Sequence, residues 1–268
     1  MRIGIDENFR PVSIDLSAMA AHLALQGQTR SGKSTTLYVL LGWLADNQSV
    51  AVGGCDPTGL VLSPWSSHSH GEWRSIGTGD LDAHVHSLAS LVYEMDQRIA
   101  ALIDLRRGVF RDKLTGFSSS YPLVVVVLEE YPALLSALEI ADKTLKTSDR
   151  RLPRVQGYVR RLIQEGAKVG FRVILIAQRF DASIIGGAER SNLAVRITHR
   201  VDNADAVRML HPDCDAELVA KIRSFPPGHG YIEQPGKPPV VFRSDSASYE
   251  EYARRVVEAS SRGDGQGA

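Results

Sequence analysis

The sequence is poor in the features that cross-link a protein, span a bilayer or coat a polyanion. Two cysteines, Cys55 and Cys214, occur in 268 residues. Their separation matches no metal-site spacing, and no secretory leader is read, so the expectation is buried thiols in a cytoplasmic chain. No charge of one sign prevails, because 31 Lys and Arg balance 31 Asp and Glu. A zero sum excludes a global field for polyanions, so any such contact must come from a local patch or from several subunits together. The most apolar run, Leu123-Val124-Val125-Val126-Val127-Leu128, falls far short of the ~20 residues that cross a bilayer. Attachment to a membrane would therefore need a partner. No internal repeat is visible. The 43% hydrophobic content over this length suits one substantial core with a small appendage.

What is present is a phosphate-binding pattern. Gly27-Gln28-Thr29-Arg30-Ser31-Gly32-Lys33-Ser34, followed by Thr35, reads G-x-x-x-x-G-K-S. Glycines let backbone N–H groups turn inward around phosphates, Lys33 neutralises β and γ charge, and the Ser34 hydroxyl can ligate Mg²⁺. The apolar stretch Ala20–Leu25 predicts the strand before the loop, and Thr35–Ala45 has the period of the helix after it. Such a helix aims its positive end at the phosphates. Residues Gly27 to Thr35 are thus the expected ATP-binding segment.

Two further strand ends carry chemistry. The β-branched run ends in Glu129-Glu130, which predicts a buried parallel strand delivering acids at its carboxyl end. Glu129 is expected to reach the Mg²⁺ and Glu130 to orient or deprotonate the attacking water. The usual first acid is Asp, and the added methylene of Glu129 calls for a shifted backbone or an intervening water. A third strand, Phe171–Ala177, ends in Gln178, whose amide can sense the γ-phosphate or the lytic water.

These pieces, in this order, resemble the motor domain of the FtsK/SpoIIIE family of DNA-pumping ATPases, from about residue 4 to about residue 247. Gly4-Ile5-Asp6 through Pro11–Leu16 is similar to the family's strand before the loop. Gly54-Cys55-Asp56-Pro57-Thr58 stands where the family has an Asp-Pro-Lys turn, and Met95-Asp96-Gln97-Arg98-Ile99 at the end of the next helix. Ala177-Gln178-Arg179 resembles its Thr-Gln-Arg, Arg196–Val201 the next strand, Gly228-His229-Gly230-Tyr231 a glycine turn, and Val240–Asp245 the closing strand. The family's membrane region and winged-helix module are not matched. The expected likeness is therefore to the compact FtsK-like conjugative transfer ATPases of actinobacterial plasmids and integrative elements.

The resemblance implies a RecA-like P-loop NTPase, α/β with a central mostly parallel sheet flanked by helices. It implies Mg²⁺-dependent ATP hydrolysis that drives double-stranded DNA through a homo-oligomer, expected as a hexameric ring, with recruitment by a membrane protein as an option. A type VII secretion-like ATPase moving protein substrates shares the motor signature, and a slow nucleotide-switched adaptor is a third reading. Family motors also place an arginine on the phosphate of the neighbouring subunit. The matching position here is Ala167, so the candidates are the adjacent Lys168 and Arg161, two helical turns upstream. A one-residue shift turns a side chain by ~100° on a helix. Arg30 stands where family motors usually have glycine.

The rest of the chain gives patches and tails. Lys143, Lys146, Arg150, Arg151, Arg154, Arg160, Arg161, Lys168 and Arg172 face only Asp149 and Glu165, and either a polyanion surface or a solvated face with interface salt bridges fits them. Pro153 predicts a loop over Arg150–Arg154. Arg106, Arg107, Arg111 and Lys113 form a weaker group offset by Asp104 and Asp112. His68-x-His70 and His84-x-His86 have strand-like alternation but no third ligand, and Asp56 reads as a turn residue or a metal-side acid. The motor is expected over 1–247 and a serine-capped helix over 248–259, with 260–268 disordered.

Overall fold

In the computed structural model the described residues are 1–17, 22–104 and 108–264. The chain begins with strands β1 (Arg2–Asp6), β2 (Pro11–Ser13) and β3 (Leu23–Gln26), then helix α1 (Lys33–Ala45). Next come β4 (Val50–Asp56), β5 (Arg74–Ile76), α2 (Leu81–Ala100), and the small pair β6 (Ile103–Asp104) and β7 (Val109–Phe110). They are followed by β8 (Leu123–Leu128), α3 (Tyr131–Asp142), α4 (Leu152–Glu165) and β9 (Phe171–Ala177). The chain closes with α5 (Gly187–Asn192), β10 (Val195–His199), α6 (Ala204–Leu210), α7 (Ala216–Arg223), β11 (His229–Gln234), β12 (Lys237–Ser244) and α8 (Tyr249–Asp264).

Contacts divide the chain into two compact units, one of Met1–Asn47 with Leu175–Ala268 and one of Gln48–Ile174. In the first, the strand order is β2-β1-β12-β11-β10-β3 and then the end of β9. Strands β10 and β3 run parallel, with Ile197 opposite Leu25, while β10 and β11 are antiparallel, with Ile197 opposite Ile232. The antiparallel strands β11, β12, β1 and β2 extend this side. Helix α8 covers α1: Tyr38 stacks on Tyr252 at 5.0 Å, the Arg255 guanidinium lies 4.9 Å from the Trp43 ring, and Arg255 Nε donates to Asp46 at 2.9 Å. Ser248 starts α8 with a reciprocal cap, its Oγ accepting from Glu251 N–H at 3.1 Å while its own N–H donates to the Glu251 carboxylate at 2.8 Å.

In the second unit the order is the start of β9, then β8-β4-β5. β4 runs parallel to β8, with Gly53 opposite Val126, and parallel to β5. Every residue of β8 and β9 is buried, which is why both read as unbroken apolar runs instead of alternating ones. Helix α2 buries Val85, Leu88, Leu91, Val92 and Met95, the three-four spacing of an inward stripe. Asp80 caps it by accepting from Asp82 and Ala83 N–H.

The architecture is α/β with parallel strands flanked by helices, and several local expectations change. Helix α1 starts at Lys33, two residues before the expected Thr35, because Gly32 adopts φ 109 and breaks the backbone path there. The strand before the loop is Leu23–Gln26, and Ala20 and Ala21 lie outside the described residues. The segment from Gly4 to Leu16 holds two antiparallel strands, not one. Pro153 opens α4 instead of interrupting it, since the first helical turn needs no proline N–H. Helix α8 continues through Asp264, so residues 260–264 are helical. The expected disorder over 265–268 and the basic Arg106 and Arg107 lie outside the described residues.

Candidate functional site

The loop between β3 and α1 is clamped by its neighbours within the first unit. Gly27 N–H donates to Ala177 O at 3.3 Å, Gln28 N–H to Arg200 O at 2.9 Å, and Gly228 N–H to Ser31 O at 2.8 Å. A Cβ on Gly27 would lie 2.5 Å from Ser31 Oγ and 2.8 Å from His199 Cβ, and one on Gly32 would lie 2.6 Å from Gly228 Cα. Both signature glycines are therefore demanded by packing, and Gly32, at φ 109, by the path of the loop as well. Arg30 has φ 62, a left-handed conformation that glycine takes without cost. Thr29 and Arg30 are exposed at the loop tip.

The start of α1 suits an anion. Its N-cap Gly32 offers no side-chain cap, and its first turn contains no acid, so the positive end of the helix is not neutralised locally. Lys33 is buried in that first turn and Ser34 is exposed beside it. The Ser31 hydroxyl is buried without a hydrogen-bond partner, as expected of a group that waits for a phosphate oxygen.

A residue without an assigned role in the sequence supports this loop from below. His199, fully buried at the end of β10, bonds Thr36 Oγ1 through Nε2 at 2.9 Å and His229 O through Nδ1 at 2.8 Å. A carbonyl can only accept, so Nδ1 carries the proton, and Thr36 Oγ1 also meets Ser244 Oγ at 2.9 Å. Burial, reinforced by the charge of Lys33, pushes the His199 pKa down from 6.5 to about 4. The unfolded chain then binds the extra proton between those values, and stability falls as pH drops through that window. The loss should approach about 3 kcal/mol by pH 4. His199→Gln should flatten the fall in chemical-denaturation midpoint over that range. An equally steep acid loss in the variant would refute the assignment. The visible signal was a histidine closing an apolar strand, and only the fold shows what it meets.

Gln178 follows Ala177, whose carbonyl holds Gly27, so the expected sensor stands next to the loop. The segment after it is held by buried Gln26, whose Oε1 accepts from Phe180 N–H at 3.1 Å while its amide donates to Thr198 Oγ1 at 3.0 Å and Ala206 O at 2.8 Å.

The acids and basic residues lie in the second unit. Glu129 N–H donates to Cys55 O at 2.9 Å at the carboxyl end of β8, and its side chain is largely buried. Glu130 is partly exposed, stands at the N-cap position of α3 without a side-chain cap bond, and has φ 40 and ψ 50, a strained conformation for a non-glycine residue. Asp56, expected as either a turn or a metal-side residue, is fully buried and accepts from the N–H groups of Thr58, Gly59, Val61 and Leu62. Its turn occupies both oxygens. Burial pushes the Cys55 thiol up to about 12, and both cysteines are free.

Of the two candidates for a trans-acting cation, Arg161 is bound within its own chain, 2.6 Å from Asp96 and 2.7 Å from Glu165. Hydrogen bonds to those carboxylates hold its pKa well above the ordinary range. Lys168 is exposed and makes no ion pair among the described residues. The basic stretch thins in the same way. Arg151 grips Asp82 with two 2.7 Å bonds, and Arg172 is buried on the carbonyls of Ala167 and Phe171. Lys143, Lys146, Arg150, Arg154, Arg160 and Lys168 remain exposed. His84 and His86 lie on α2, where a two-residue step separates side chains by ~200°. His84 instead bonds Ser75 Oγ at 2.6 Å and Gly77 O at 2.7 Å. Among the described residues no group of three or more His, Cys, Asp and Glu could hold a metal. A hydroxyl and a carboxylate still suit Mg²⁺, which takes few protein oxygens and fills its shell from phosphate and water.

The fold and the loop together define a P-loop ATPase. The monomeric pCW3 conjugation coupling protein TcpA with ATPγS shares its fold at TM-score 0.72 and 21% identity, over 96% of this chain and 69% of that one. The cytoplasmic domain of the Thermomonospora curvata type VII secretion ATPase EccC does so at 0.69 and 21%, over 96% and 30%. By sequence, the FtsK/SpoIIIE family model matches residues 3–182, and the chain belongs to that family. The DNA translocase FtsK of Mycobacterium leprae is 24% identical over 225 residues, 80% of this chain and 26% of that protein. The chain thus spans about a quarter of this relative's length. No helix among the described residues is long and apolar enough to cross a membrane.

Proposed function

We propose that this chain hydrolyses ATP and uses the energy to move double-stranded DNA. The family match over residues 3–182 carries the reading, and the uncapped, acid-free start of α1 beneath two sterically required glycines supports it. Backbone amides of Gly27–Thr35 and the buried Lys33 would hold the triphosphate, with Gln178 reporting on its state. Ser34 and Glu129 would hold Mg²⁺, which when bound neutralises β and γ oxygens. Glu130 would orient and deprotonate water. Work on a polymer fits a homo-oligomeric ring, a hexamer by family likeness, in which Lys168 stabilises charge on a neighbour's phosphate. The fold shared with a conjugation coupling protein supports a role in conjugative transfer, with a membrane-protein partner as anchor.

Duplex DNA should stimulate ATP turnover, and the stimulation should weaken steeply as salt rises. Charge reversal at Lys143, Lys146 and Arg150 should reduce it. No stimulation at any salt removes the DNA reading. Stimulation by an export signal peptide instead would make this a protein-secreting motor, and ATP binding without turnover under either condition would make it a switched adaptor. Lys168→Ala should also abolish the rise of specific activity with protein concentration, while Arg161→Ala should retain it. If neither substitution alters that rise, the trans-acting cation lies elsewhere.

A further inference from the structure

Buried polar atoms in folded proteins are nearly always paired, so those that the chain leaves unpaired call for a partner, an ordered water or a ligand. In the first unit, three such atoms belong to residues in or next to the phosphate loop: Ser31 Oγ, Arg200 Nε and His229 Nδ1. Backbone hydrogen bonds bring their segments together. Arg200 O receives Gln28 N–H at 2.9 Å, and Ser31 O receives Gly228 N–H, one residue before His229, at 2.8 Å. The rings of Phe225 and His229 lie 6.5 Å apart. Ser31 belongs to the motif already described, but the other two do not.

Arg200 is the more telling of them. Its guanidinium reaches one protein acceptor, Phe225 O, at 3.5 Å, the outer limit of a hydrogen bond. It makes no ion pair among the described residues, unlike Arg151, Arg161 and Arg255. A partly buried guanidinium with five donors and one marginal acceptor is poorly satisfied by this chain alone. Its main chain is meanwhile fixed to the second residue of the phosphate loop. The Gln28 bond keeps the Arg200 backbone beside the loop, within the length of its own side chain.

We propose that Arg200 is a second cationic contact to the nucleotide bound by the loop, its guanidinium donating to a phosphate oxygen. Phosphate charge is then shared between Lys33 at the start of α1 and Arg200 at the end of β10. A planar donor fork matches phosphate better than any single backbone amide. The proposal rests on the reading of Gly27–Thr35 as a nucleotide loop, and its test separates the two. Fluorescent mant-ATP and mant-ADP are titrated into the unsubstituted chain, Arg200→Met, Arg200→Lys and Lys33→Ala, and the nucleotide-free melting temperature of each is recorded. Arg200→Met should weaken both nucleotides about tenfold or more, Arg200→Lys should recover part of that loss, and nucleotide-free melting should be unchanged. Undiminished binding in Arg200→Met beside lost binding in Lys33→Ala overturns the proposal and leaves the loop reading intact. Undiminished binding in both overturns both. A loss of binding that tracks a fall in nucleotide-free melting, with no recovery in Arg200→Lys, shows a structural arginine and also overturns the proposal.

Discussion

Lys33→Ala is expected to abolish ATP turnover and to weaken nucleotide binding by about a hundredfold or more. The magnitude follows from two charge-assisted hydrogen bonds to phosphate, together ~3 kcal/mol or more in a partly desolvated site. Lys33 sits in the first turn of α1 with almost no solvent access, so water cannot take over its role cheaply. The substitution has a second consequence that a surface lysine would lack. The charge of Lys33 helps to hold the His199 pKa down, so its removal should raise that pKa and shift the acid-unfolding midpoint to lower pH. Mant-ATP titration, steady-state ATPase and denaturation from pH 7 to pH 4 measure these effects. Turnover within tenfold of the unsubstituted chain would remove Lys33 from the phosphate site.

The parts of the site that were legible in the sequence are those fixed by local covalent constraint. Gly32, at φ 109, takes a turn that suits glycine alone, and the β-branched run Leu123–Leu128 can hardly be anything but a buried strand ending in two acids. β9 likewise occupies the expected Phe171–Ala177. The start of α1 lies two residues before the expected Thr35, because Lys33 and Ser34 carry the chemistry of a loop while the backbone places both in the first helical turn. Pro153 opens α4 where a loop is expected, because proline stops helices and also starts them, and sequence alone does not say which side of a boundary it occupies.

Long-range partners were not legible. His199 and Thr36 are 163 residues apart, and Gln28 meets the carbonyl of Arg200. Such pairs depend on β10 lying beside β3 in parallel register, which follows from sheet order and leaves no local pattern. The basic stretch shows the same limit in reverse. Its charges cluster in sequence, yet Arg151, Arg161 and Arg172 turn to Asp82, Asp96 and backbone carbonyls, and so contribute little to an outward field. A charge count along the chain overstates the polyanion surface. The exposed remainder is what a DNA test must probe.

Glu130→Gln should separate binding from chemistry. The amide keeps the shape of the side chain but cannot accept the water's proton, so turnover should drop by about 10² to 10⁴ while mant-ATP affinity stays within about threefold. Backbone conformation adds a distinguishing test. At φ 40 a side chain with a Cβ is strained by about 1–2 kcal/mol, and the strain is tolerated here at the residue proposed to handle water. Glu130→Gly should therefore raise the melting temperature while it abolishes turnover, whereas Glu130→Gln should lower turnover with little change in melting. A residue that merely solvated a strand end would show the stabilisation without the loss of activity. Glu129→Gln should differ again, raising the Mg²⁺ concentration needed for half-maximal turnover, because it removes charge from the metal side. If Glu130→Gln turns over ATP at the unsubstituted rate, the proton acceptor is another group, and the strain at this position has no catalytic meaning.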